Sequence, residues 1–68
     1  MYKNIIDHNL VYIIGEYGIV KVKEETVWDN GTTSGQKTVY DVCLEYGEGD
    51  IVASFNYIKD ARKWAKEN

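Results

Sequence analysis

Leu10-Val11-Tyr12-Ile13-Ile14-Gly15-Glu16-Tyr17-Gly18-Ile19-Val20-Lys21-Val22 is the stretch that decides the fold. Two runs rich in β-branched and aromatic residues flank a short glycine-bounded segment, the pattern of an antiparallel hairpin. The pattern repeats outward. A polar segment, residues 29–36 with Asn30-Gly31 inside it, separates residues 19–28 from a second run at 37–46. Gly47-Glu48-Gly49-Asp50 then precedes a last short run at 51–55. Hairpin connections of this length predict a four-stranded antiparallel meander in order 1-2-3-4.

A straight ladder gives a definite register. Closing the first turn over residues 15–18 sets Ile14 opposite Ile19 and Val11 opposite Val22. Closing the third sets Tyr46 opposite Ile51 and Val42 opposite Phe55. Setting Val20 opposite Tyr46 then places Val11, Ile13, Val20, Val22, Tyr40, Val42, Leu44, Ala53 and Phe55 on one face. The opposite face receives Leu10, Tyr12, Ile14, Val27, Val39, Cys43 and Val52 among Lys21, Lys23, Glu25, Asp41, Glu45 and Ser54. Lys21 is expected to meet Glu45 there, and Glu25 to lie opposite Asp41.

After Phe55 the period changes. Ile58, Ala61 and Ala65, with Tyr57 and Trp64, recur at helical spacing, while Lys59, Asp60, Arg62, Lys63, Lys66 and Glu67 take the other side. Asn56 is the expected N-cap, and a helix of ten to twelve residues is too short to persist undocked. The expected fold is therefore α+β, one domain over residues 1–68, with the C-terminal helix packed on one face of the meander. Residues 1–9, through Tyr2, Ile5 and Ile6, are expected to form a short edge strand turning at Asp7-His8-Asn9. One helical turn, or a lid over the outer face, is the other option.

Size bounds the chemistry. A chain of 68 residues builds one small core and no second domain to make a cleft. The single cysteine, Cys43, excludes an internal disulfide, and no apolar stretch is long enough for a leader or a bilayer span. A reducing, cytoplasmic setting without membrane association follows as the expectation. The net charge of −3 is unevenly spread, because residues 57–68 carry four cations against two acids.

No catalytic or metal constellation emerges. His8, the only histidine, has Asp7 and Asn9 beside it and reads as a polar turn residue. Cys43 could be activated by Lys23 across the ladder, but Asp41 and Glu45 oppose a thiolate, and a spectator thiol is the favoured reading. The acids lack the spacing of a calcium loop. Each glycine-rich turn leads into a strand, whereas a phosphate cradle must lead into a helix. No cofactor is expected.

The outer sheet face carries more apolar residues than a solvated one should. The first expectation is therefore a non-catalytic protein-binding module, an inhibitor or adaptor of a larger protein, with a nucleic-acid-handling protein as one option. Its contact residues would be Tyr12, Ile14, Tyr17, Lys21, Glu25, Trp28, Asp41 and Glu45, with a homodimer through the same face as a variant. The alternative is nucleic-acid binding through Lys59, Arg62, Lys63 and Lys66, against which the overall acidity counts.

Overall fold

The computed structural model describes all 68 residues. Strands β1 (Tyr2–Ile14), β2 (Tyr17–Val27), β3 (Thr33–Cys43) and β4 (Ile51–Phe55) are followed by helix α1 (Ile58–Glu67), and one 3₁₀ turn (Glu45–Gly47) lies between β3 and β4. The strands form one antiparallel sheet in order β1-β2-β3-β4 with α1 against it, the expected α+β meander. No helix is long and apolar enough to cross a membrane.

Helix α1 docks as its stripe predicts. Ala61 and Ala65 are buried against Ile19 and Val42, and Ile14, Tyr17, Tyr40, Ala53, Phe55, Ile58 and Trp64 close the cluster. Small side chains on α1 allow close approach to the sheet. Trp64 meets Tyr17 edge to face, with ring centroids 5.3 Å apart. Asp60 lies in the first turn and Lys66 in the last, each favoured by the helix dipole. The cap is Tyr57 rather than Asn56, and no side chain bonds the free amides there.

The registers differ from the straight ladder. The first turn has two residues, Gly15-Glu16, so Ile14 pairs with Tyr17 and Tyr12 with Ile19. Gly15 at φ 58° supplies the left-handed first position of a type II′ turn, whose twist matches the strands. Bulges then change the parity. Ile6 and Val11 are extra residues in β1, Ser34-Gly35 oppose the single Thr26, and Val52 is extra in β4. In the β2–β3 ladder Val20 pairs with Asp41 and Ile19 with Val42. Ile19, Tyr12 and Ile14 therefore lie on the helix side, and Val20 and Val22 on the outer face, the reverse of the expected assignment. Tyr40, Val42, Ala53 and Phe55 stay on the helix side, and Leu10, Val39 and Cys43 stay on the outer face.

The N-terminal segment neither turns at Asp7-His8-Asn9 nor folds back as a lid. It continues β1 without a break, with His8 opposite Val22 and Asp7 opposite Lys23. The third connection supplies a lid instead. β3 ends at Cys43, and Glu45 and Tyr46 turn through φ 53° and 58°, conformations that cost non-glycine residues about 1–3 kcal/mol each. Tyr46 N–H donates to Glu16 O at 2.9 Å, and Gly47 packs on Leu10 and Val20. A side chain at Gly18 would collide with the Tyr46–Gly47 backbone, so glycine there is what lets the turn lie flat on the outer face. Beneath it Val20, Val22 and Cys43 form a second small core.

Helix α1 covers only one end of the long strands. The molecule measures 43 × 20 × 16 Å, and β1, β2 and β3 run on beyond the helix as a three-stranded arm. The arm ends at Trp28, whose N–H donates to Thr32 O, while the Asn30 side chain accepts from the Thr32 amide and hydroxyl.

Candidate functional site

The eight residues expected to form one protein contact are dispersed over the molecule. Ile14 and Tyr17 belong to the core under α1, and the Tyr17 hydroxyl donates to Asn68 O at 3.3 Å. Tyr12 lies beside the helix. Lys21 pairs with Tyr40 rather than meeting Glu45, which has left the sheet in the 3₁₀ turn. Glu25 is opposite Gln36, not Asp41, and accepts from Asn4 Nδ2 at 3.2 Å. Asp41 accepts from the Ser54 hydroxyl at 2.6 Å on the outer face. Trp28 is exposed at the tip of the arm.

Two surfaces stand out instead. The first is β1. Twelve of its 13 residues are exposed, and it pairs only with β2, leaving one edge of the sheet without a strand partner. Directly opposite residues share a face, so Ile5, Leu10 and Ile13 lie with Glu24, Val20 and Gly18 on the outer face. Those three aliphatics are 59%, 51% and 51% exposed, a row along an open edge. On the helix side the same strand presents Asn4, Asp7 and Asn9 in its middle and Tyr2, Tyr12 and Ile14 towards its ends, while His8 sits between Ile5 and Leu10 on the outer face. The signal for this arrangement is in the sequence as the adjacent aliphatic pairs Ile5-Ile6 and Leu10-Val11, which a regular half-buried strand does not carry and a bulge produces.

The second surface is the groove between α1 and β1. Lys59, Arg62, Lys63 and Lys66 are all exposed and follow one another along one side of α1, with Tyr12, Ile14 and Glu67 completing the lining. These are the four cations singled out in the sequence, and they line one groove. Arg62 is held by Tyr12, whose ring centroid lies 4.5 Å from its guanidinium carbon and whose hydroxyl accepts from Nη2 at 3.4 Å. Lys59 reaches the Tyr57 ring at 5.9 Å. The molecule's ion pairs, Met1 with Asp29 and Lys3 with Glu24, involve none of the four. Like charges three or four residues apart on a helix repel by about 0.2–0.5 kcal/mol per pair, and this stripe holds several such pairs without a compensating bridge.

Neither histidine nor cysteine chemistry is assembled. His8 is exposed in mid-strand. Cys43 is buried on the outer face, opposite Gly18 and Ile51 and away from Lys23, which pairs with Thr38. Burial pushes its thiol up from the ordinary value and the nearby Asp41 carboxylate adds to the shift, which overturns an activated thiolate. No group of three or more histidine, cysteine or acidic side chains is arranged to hold a metal ion.

Fold and surfaces together define a small α+β antiparallel meander with a partly uncovered sheet and a basic helical groove. No family model, curated protein or solved structure matches the chain.

Proposed function

We propose that this chain is a non-catalytic protein-binding domain, a small inhibitor or adaptor working in a reducing intracellular setting. It engages a larger protein through β1. The observation that carries the reading is the open β1 edge with Ile5, Leu10 and Ile13 exposed along one face. An extended segment laid against that edge would satisfy its free backbone groups and cover the aliphatic row, the strand-addition mode of recognition. A second copy of the chain is one candidate segment. The bulges at Ile6 and Val11 interrupt the edge, as bulges do where indiscriminate pairing must be limited, and so favour a partner shaped for it.

The test is an affinity capture from source-cell lysate with the wild-type chain and with Ile5→Lys/Leu10→Lys, both checked by light scattering for self-association. The expected result is a defined partner captured by the wild type and lost from the double variant. Identical captured sets would remove β1 as the contact, and a concentration-dependent dimer abolished by the variant would make the partner a second copy.

A further inference from the structure

We propose that the groove between α1 and β1 binds a single strand of nucleic acid, its phosphates on Lys59, Lys63 and Lys66 and one base on the exposed Tyr57 ring. This site is separate from the β1 edge and does not depend on the role argued for that edge. Three observations carry it. First, the chain is acidic overall, yet half of its eight lysines and arginines line this one groove. Second, none of the four is held in an ion pair within the molecule, and against them the groove lining carries a single carboxylate, Glu67, so the stripe stays net attractive for a polyanion at the cost of self-repulsion. Third, aromatic rings accompany the cations. Tyr12 fixes the Arg62 guanidinium from below, and Tyr57, 64% exposed, stands beside Lys59 at the N-terminal end of the row. A neighbouring depression lined by Lys21, Tyr40 and Tyr57 continues the surface across the sheet.

Cations alone would suit any anionic chain. The tyrosines distinguish the occupant, because an unpaired base has a free face to stack and an acidic peptide or a duplex backbone does not. The row from Lys59 to Lys66 rises about 10 Å along the helix, enough for a few phosphates and too little for a duplex-spanning track. Binding should therefore be weak, short in footprint and strongly dependent on salt.

The experiment is fluorescence anisotropy of a labelled oligothymidylate of about twenty nucleotides, with a duplex of equal length and polyglutamate as competitors. Three phosphate contacts predict a log–log salt slope of about −2, so raising salt from 50 to 200 mM should weaken binding about 20-fold. Lys63→Gln/Lys66→Gln should flatten that slope by about 1.4. Tyr57→Ala should weaken binding roughly tenfold with the slope unchanged. Lys37→Gln, an exposed cation on the arm, should change neither and controls for net charge. All four positions are exposed, so circular dichroism should be superimposable throughout. No binding at 50 mM salt, or equal competition by polyglutamate or duplex, would overturn the proposal.

Discussion

Beneath α1, Ile19 and Val42 are enclosed between sheet and helix, whereas in the arm the same two strands carry Lys23, Glu25, Gln36 and Thr38 on that face. The change of side-chain chemistry falls where the helix stops. A ten-residue helix covers about 15 Å, so β-strands of 11 to 13 residues necessarily outrun it. The outer face behaves differently. There the Glu45–Gly47 turn covers Val20 at the helix end, and the exposed aliphatics of β1 run beside it without cover. One end is thus a two-sided core, and the other is a single-layer ribbon held by ladder hydrogen bonds and same-face pairs. Isolated ribbons of that kind are marginal, and this one persists because its strands are anchored in the core.

The two ends should respond differently to truncation. Ile19→Ala removes a fully buried side chain at the centre of the α1 core and should cost about 3–4 kcal/mol. Ile5→Ala, in the arm, should stay within about 0.5 kcal/mol. Urea denaturation read by tryptophan fluorescence checks both, as a shift in midpoint at constant slope for the first and no shift for the second. Comparable losses would mean that the arm is part of the cooperative core.

A smaller effect sharpens the boundary between the regions. Gly18 is the point where β2 passes under the Tyr46–Gly47 backbone, and any Cβ there forces the turn off the outer face. Gly18→Ala should cost about 2 kcal/mol, within the range for overpacking. It should also expose the Val20, Val22 and Cys43 cluster while leaving α1 docked. Faster amide exchange confined to residues 44–50, with Ala61 and Ala65 amides still protected, is the expected pattern.

The element order, the strand count and the α1 stripe were legible because each rests on periodicity and on turn glycines, which act locally. The face assignment was not, because parity is a property of the whole ladder. A single extra residue reverses every side chain beyond it, and this sheet carries four such irregularities. Two-residue closure at Gly15-Glu16 drew Tyr17 and Gly18 into β2, although both read as loop. Leu44, Glu45 and Tyr46 read as strand by composition, yet they turn, held by Glu16 and by the space at Gly18. The basic quartet was legible for the same reason as the helix: Lys59, Arg62, Lys63 and Lys66 share one face at any helical register. Their pairing with Tyr12 depended on the β1 register, and only the structure supplies it.

Cys43 gives the finest probe of the outer core, through pH. Its thiol is raised by burial and by Asp41, so the folded state holds the proton more tightly than the unfolded chain. The contribution to stability is intact below the unfolded thiol's range, near 9, and is lost as the pH rises through the folded value. Wild type should therefore lose stability above about pH 9 more steeply than Cys43→Ala, in which the thiol is gone. Alkylation of the native thiol should be slow at pH 8 and limited by opening of the 44–50 turn, so Gly18→Ala should accelerate it. If Cys43 reacts as fast in the folded chain as in urea, the turn does not cover the outer face, and the two-sided end of the molecule is closed only by its helix.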